Sequence, residues 1–535
     1  MATKNKRLTV EHLWKLKRPS SPSLSPDGAQ TCIALTEYDM KDNKGRTKLW
    51  LLSNLGGEPR ELTTCGERDG QPQWSPDGSL IAFVAKRGEG KDADEEQQLY
   101  VIAPDGGEAR RVTNLATGVS AIKWFADGKR IAFISWVWPD LKREKDQAKR
   151  YKERKDDKVK AHISEKTLFQ FWDHFVADGR VPRVHVVNME SGKCRDAFAG
   201  TAFELPVFDP STADFDISPD GRHLAFCFNP NDDRRWDQEH QIVEIDLKSG
   251  KSKVLTAGSP LSHHNPAYSP DGKSIAILTG NYRKSLTDDG HLALIDRASG
   301  RVSKWSQWDR SLNAPLRWSH DGQSIYFTAE DNARLSLWRM AKGRKTPEKT
   351  VAGGTVMEFD CKGDTLAFVR NTMSTPPQVF CAGAEGQAEH AIESFNERIM
   401  SGVKLGEVKD VTVKGWSNEP VQLWVIYPPD FDPKKKYPMI CYFYEKLSDN
   451  LNNYIPPAPI RSAINVSFFV SRGYIIFMPD IEYKIGHPGK SAYDYIVSGA
   501  RALVKKGWVD STRMAIQGHS WGGYQAAQLV TMTKL

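Results

Sequence analysis

A turn followed by an apolar strand recurs through the first 370 residues: SPDGAQTCIALT at 25–36, SPDGSLIAFVA at 75–85, FADGKRIAFIS at 125–135, SPDGRHLAFCF at 218–228, SPDGKSIAILT at 269–279 and SHDGQSIYFTA at 319–329. A degenerate copy, DCKGDTLAFVR, follows at 360–370. No other feature restricts the fold so strongly. A supersecondary unit repeated about every 50 residues cannot bury its apolar face alone and must stack against its copies, as the blades of a β-propeller do. In each turn proline presets φ, aspartate bonds back to the local backbone, and glycine takes the positive φ of a tight hairpin.

A second element accompanies each copy, an alternating strand running into a Gly-containing turn: LWLLSNLGGEPREL, LYVIAPDGGEARRV, VHVVNMESGKCRDA, IVEIDLKSGKSKVL, LALIDRASGRVSKW, LWRMAKGRKTPEKT and, weakly, VFCAGAEGQAEHAI. Both elements count to seven. The interval from Gly128 to Gly221 is nearly double the usual spacing. The paired count assigns it to an insertion near 139–166 rather than an eighth blade, since LKREKDQAKRYKERKDDKVKAH (141–162) has acids and bases at helical spacing. The expected organisation is an N-terminal segment 1–19, a seven-bladed propeller 20–395 and a second domain 396–535.

Composition removes several function classes. No apolar run approaches the roughly 18 residues of a membrane span. The opening MATKNKRLTVEHLW carries no apolar stretch behind its basic residues, so a cytoplasmic address is expected. The net charge of +7 is small for 535 residues and its basic segment is balanced in sign, which argues against a nucleic-acid partner. Seven scattered cysteines without a CxxC pair argue against a disulfide framework or a zinc site. His263 and His264 are adjacent on a strand and point to opposite faces, so they do not readily share a metal. No cofactor and no metal are expected.

After residue 395 the periodicity changes. EVKDVTVKGW (407–416) and PVQLWVIYPP (420–429) read as paired strands, and MICYFY (439–444) and YIIFMPD (474–480) as strands covered on both faces. Helical stretches follow at about 460–472 and at 491–507. The strand RMAIQGH (513–519) then leads into Ser520 and the helix GGYQAAQLVTM. Alternating strands and helices imply a doubly wound α/β sheet. Gly518-His519-Ser520-Trp521-Gly522 has the spacing of a nucleophile elbow, in which the glycines let the strand turn sharply into the helix and leave the Ser520 hydroxyl above the sheet edge. There the Trp521 backbone N–H can donate to a developing oxyanion. Gly523 is expected to permit close helix packing.

With these residues in view, the chain resembles the prolyl oligopeptidase family of serine peptidases. The similarity is carried by the LWKLKRPSSPSLSPDG opening, the KKKYPMICYFY strand and the GWVDSTRMAIQGHSWGGYQAA elbow, and it favours the acylaminoacyl-peptidase and dipeptidyl-peptidase-like branches. The resemblance implies an N-terminal propeller joined to a C-terminal α/β-hydrolase domain. It also implies a tyrosine hydroxyl as second oxyanion donor, here Tyr444. The family's glycines are replaced by Glu445-Lys446-Leu447, so Tyr442 or a purely structural Tyr444 stay open. DIEYKIGHPGKSAYD (480–494) departs from the family's Asp-Tyr-Arg-Gly-type segment, and no function passes to Glu482 or His487. SEKTLFQFWDHFVADGR (164–180) lacks the paired glutamates that would hold a free amino terminus, so dipeptide release is not supported.

In α/β-hydrolases the acid and then the histidine follow the serine. No Asp, Glu or His follows Ser520. The expectation is therefore a C-terminally truncated peptidase: a propeller followed by an incomplete hydrolase domain that binds short peptides but lacks most activity alone. The hydrolase half should be the less stable half. The alternatives are an esterase on the same elbow and a non-catalytic propeller that recruits peptides or proteins. The oligomeric state is open.

Overall fold

The computed structural model describes residues 7–90, 93–165, 168–171, 174–231, 239–281, 290–445 and 464–535. From Arg18 to Ala391 the described residues form antiparallel sheets in chain order: five four-stranded sheets, and an eight-stranded one made of two four-stranded runs joined by a single parallel pairing of Leu335 with Thr355. The SPDG copies are the turns between the first and second strands. Their glycines have φ of 64–73° at Gly28, Gly78, Gly128, Gly221, Gly272 and Gly322. The aspartate accepts the N–H two residues on, as Asp27 does from Ala29 at 3.0 Å. The serine has a role of its own. Its hydroxyl donates to that aspartate (Ser75 to Asp77, 2.6 Å) and accepts the N–H five residues on (Leu80, 2.9 Å), closing the turn from inside.

The second strands are buried almost throughout, as in Ile81–Ala85 and Ser274–Gly280, because each is sandwiched between neighbouring sheets. The innermost strands are linked one to the next. Trp74 N donates to Ser23 Oγ (3.4 Å), Trp124 Nε1 to Gln73 O (3.0 Å), Lys123 Nζ to Phe215 O (2.6 Å) and Tyr268 N to Asp216 Oδ2 (2.8 Å). Trp318 Nε1 then donates to Ala267 O (3.0 Å), Cys361 Sγ to Trp318 O (3.6 Å), and Leu24 N returns to Asp360 Oδ2 at 2.9 Å, joining the last sheet to the first. These strands surround a cavity of about 640 Å³ bordered by Lys123, Asp216, Arg317 and Asp360.

Between the second and third strands of the third sheet lie the helix Glu144–Asp156 and the short hairpin Gln170–Phe171 with His174–Phe175. The helix is exposed along most of its length. Its one buried residue, Gln147, donates to the carbonyls of Trp138 and Leu141 and accepts from Trp138 N, pinning the insertion to the sheet.

The second domain is built on one five-stranded sheet ordered Val408–Lys414, Pro420–Ile426, Ile475–Pro479, Tyr437–Phe443, Val509–Gly518, the last three parallel. The helix Val466–Val470 covers one face with Trp424, Ile440 and Tyr442. Pro488–Lys505 and Trp521–Met532 cover the other with Phe443, Phe477 and Leu529. Of the helix expected over 460–472, residues 460–463 lie outside the described residues. Among the described residues Val509–Gly518 pairs only with Tyr437–Phe443, and Ile516 on it and Val530 on the following helix are exposed.

The two domains share apolar contacts. Ala333 and Met373, from loops of the sheet array, pack into the cluster around Trp424, and Arg334 lies over the Trp424 ring at 4.6 Å. The N-terminal segment joins this junction. Leu8 and Leu16 pack with Ile399, Met400 and Phe468, and Arg472 Nη1 donates to Leu8 O at 2.7 Å.

Candidate active site

Ser520 stands between the strand Val509–Gly518 and the helix Trp521–Met532, with φ 50° and ψ −111°. A non-glycine residue at this φ is held there by its surroundings. Both glycines of the pentapeptide are sterically required. A Cβ on Gly518 would lie 2.2 Å from the carbonyl oxygen of Gly522, and one on Gly522 would lie 2.5 Å from that of Phe443. Gly523 differs from expectation: its nearest neighbour would be 3.8 Å away, so close packing does not depend on it. Gly522 N donates to His519 O (2.7 Å) and Gly523 N to Ser520 O (2.9 Å), which closes the first turn and sets the Trp521 N–H at the open end of the helix. Ser520 is exposed.

Tyr444 is brought to this turn by register. Phe443 pairs with Gly518 on the adjacent parallel strand, so the next residue emerges beside the elbow, and the Tyr444 ring lies roughly parallel to that of His519 with centroids 6.4 Å apart. Tyr442 points to the opposite face and is buried in the cluster around Trp424, away from the elbow. Lys446 and Leu447, which follow Tyr444 and Glu445, lie outside the described residues.

One group next to the elbow escaped the sequence argument. The Tyr483 hydroxyl accepts a hydrogen bond from Gln525 Nε2 and donates to Glu445 O at 3.3 Å. The Trp521 side chain also bonds to it, and burial pushes the phenol up to about 12 against these opposing bonds. Gln525 is fully buried. A signal was available: a glutamine on the buried face of an otherwise small and apolar helix needs a polar partner. Glu482 and His487 are exposed, the former accepting a hydrogen bond from Tyr495 at 3.3 Å. In the 164–180 stretch, residues 166–167 and 172–173 lie outside the described residues.

An array of antiparallel sheets followed by an α/β sheet with a serine at a strained strand-to-helix turn defines the propeller-plus-hydrolase class. The profile of the prolyl oligopeptidase family matches residues 461–535, which contain the elbow. Dipeptidyl-peptidase 5 of Porphyromonas gingivalis is 25% identical over 388 residues, covering 69% of this chain and 55% of its own. A probable dipeptidyl-peptidase 5 of Aspergillus terreus is 23% identical, covering 68% and 55%. The acylaminoacyl peptidase of Pyrococcus horikoshii superposes with a TM-score of 0.76 at 18% identity over 97% of this chain and 76% of that one. A puromycin-hydrolyzing peptidase of Mycobacterium tuberculosis reaches a TM-score of 0.64 at 14% identity, covering 98% and 77%. Through these matches the chain is similar to the prolyl oligopeptidase family, whose model covers residues 461–535. It spans about half the length, 55%, of the curated relatives it matches. Among the described residues no helix is long and apolar enough to cross a membrane.

Proposed function

We propose that this chain carries the nucleophile and the propeller of a serine peptidase acting on short peptides. The observation that supports this reading best is the backbone of Ser520, φ 50° and ψ −111° at the start of the Trp521–Met532 helix, with glycines wherever a Cβ would clash. A serine held so offers its hydroxyl above the sheet edge. The Ser520 oxygen attacks the peptide carbonyl carbon, and the charge developing on the carbonyl oxygen falls to the Trp521 N–H and the Tyr444 hydroxyl. Collapse breaks the C–N bond, the amine leaves with a proton, and the acyl group stays on Ser520 until water releases it.

That sequence of steps needs a base to take the serine proton and a carboxylate to hold the base. No Asp, Glu or His follows Ser520 in this sequence. In our reading the 535 residues position an acyl donor and do not turn it over efficiently alone. The sheet array is read as seven blades over about 20–395, with the insertion near 139–166 and the hydrolase part over 396–535. The unbroken chain of hydrogen bonds from the first innermost strand back to it supports closure as a seven-bladed propeller. In this reading the propeller restricts access to short peptides, as the resemblance to the family implies. The names of the relatives, dipeptidyl-peptidase and acylaminoacyl peptidase, support a peptide substrate.

The test is a fluorophosphonate probe on the native protein purified from its source, with intact mass and peptide mapping. Labelling at Ser520, lost in Ser520→Ala, is expected. An unlabelled Ser520 in the native protein overturns the peptidase reading and leaves the propeller as a peptide- or protein-binding module.

A further inference from the structure

Cys227, His240 and His264 are remote in sequence and sit on different elements, yet their donor atoms lie within 4.8 Å of one another. Cys227 is on the strand His223–Phe228, His240 precedes Gln241–Asp246 in the same sheet, and His264 is on the first strand of the next sheet, Ser262–Tyr268. Cys227 and His240 are buried and His264 is half-buried. The Cys227 Sγ is 3.9 Å from His264 Nδ1, and the His240 and His264 rings meet edge to face with centroids 4.6 Å apart.

The outer contacts orient this set. His264 Nε2 bonds to Ser262 Oγ at 3.0 Å, so its Nδ1 is the nitrogen presented to the thiol. The same Ser262 oxygen accepts His240 N at 2.8 Å, and His263 N donates to His240 O at 2.9 Å, fastening the two histidine-bearing segments together. A ligand imidazole whose second nitrogen is held by a polar neighbour is the arrangement that fixes tautomer and ring direction in metal sites. The pair His263–His264 does split across the strand, as the alternation of side chains requires. The His263 ring bonds to Ser259 Oγ at 2.8 Å instead. The strand shifts register between His264 and Ala267, and such a bulge re-aims side chains.

We propose that Cys227, His240 and His264 bind one Zn²⁺-class divalent cation between the fourth and fifth sheets. One thiolate and two neutral imidazoles suit a borderline-soft ion, which accepts three protein ligands and keeps a fourth position for water. Tetrahedral Zn–N and Zn–S lengths set donors about 3.3–3.6 Å apart, so the cluster contracts by about 1 Å as the ion enters. On binding, the Cys227 S–H bond gives way to a metal–sulfur bond and the proton leaves to solvent. The ion then adds a tie between two neighbouring sheets already joined by apolar packing and by the His240–Ser262 and His263–His240 hydrogen bonds. The absence of a CxxC pair, which argues against zinc on sequence grounds, concerns sites built from one short segment, and this one is assembled from three.

The experiment is titration of the chelator-treated full chain with Co²⁺. One equivalent should produce thiolate-to-cobalt charge-transfer absorption in the near ultraviolet, with visible bands of tetrahedral intensity. Cys227→Ser should abolish the charge-transfer band, and His264→Gln should weaken binding by at least about ten-fold. His263→Gln, whose ring faces away, should bind within about two-fold of the parent. Circular dichroism of each variant separates lost binding from lost folding. If Cys227→Ser does not fold, the parent spectrum and His264→Gln decide. No charge-transfer band in the parent at stoichiometric Co²⁺, a band that persists in folded Cys227→Ser, or parent-like affinity in folded His264→Gln overturns the proposal.

Discussion

The α-carbon of Gly522 lies against the carbonyl of Phe443, so that a Cβ built on Gly522 would stand 2.5 Å from that oxygen. The contact joins the elbow helix to the end of the neighbouring parallel strand and leaves no room for a side chain. Gly522→Ala should therefore cost about 1–3 kcal/mol in urea unfolding of the hydrolase domain, the usual range for overpacking. Gly523→Ala, with 3.8 Å of clearance, should be neutral or stabilise by up to about 1 kcal/mol through helix propensity.

Ser520 occupies a backbone region that favours glycine. Replacing it by glycine should raise stability by about 1 kcal/mol while removing all fluorophosphonate labelling. The urea midpoint and a labelling gel read the two effects separately. A destabilised Ser520→Gly would show that the turn is not strained.

The Tyr483 hydroxyl accepts a hydrogen bond from the buried Gln525 Nε2. Tyr483→Phe leaves that amide without its acceptor and should destabilise the domain by about 1–3 kcal/mol. Gln525→Leu in the Tyr483→Phe background should recover part of the loss, because removing both partners is less costly than removing one. A double-mutant cycle in urea checks this.

Arg334 lies over Trp424, a residue 2% exposed, and so couples the propeller to the hydrolase sheet. Arg334→Ala should weaken that junction by about 0.5–2 kcal/mol. Hydrogen exchange along Pro420–Ile426 should speed up accordingly, with the propeller strands unaffected.

His185 stacks on Phe133 with centroids 5.7 Å apart, and burial depresses its imidazole below the ordinary range although Asp196, opposite it, pulls the other way. An imidazole that resists protonation when folded but titrates near 6.5 when unfolded means that the unfolded chain binds the extra proton. Its contribution is thus full above about pH 6.5 and is lost as pH falls through the lower folded value. Urea midpoints at a series of pH values should fall less steeply below pH 6.5 in His185→Gln than in the parent.

Where each sheet turns was legible because SPDG is a local device: its serine, aspartate and glycine act on backbone groups within five residues. The elbow was legible in part for the same reason, since Gly518 answers a clash with Gly522 within one turn, whereas the clash that requires Gly522 is with Phe443 on a distant strand. The insertion was legible from the paired count of two repeated elements. Tyr444 was placed from the resemblance, and its nearness to the elbow depends on a parallel pairing between strands some seventy residues apart.

The amino-acid sequence by itself determined the repeating blades, the change to an α/β pattern after them and the serine at the elbow, because each rests on short-range backbone geometry and on the period of apolar residues. Only the tertiary structure decided that Tyr483 serves Gln525, that Arg334 and the N-terminal segment brace the hydrolase sheet, and that Cys227, His240 and His264 converge. Those contacts join side chains far apart along the chain, and no spacing or composition encodes a distance that exists only once separate sheets have packed.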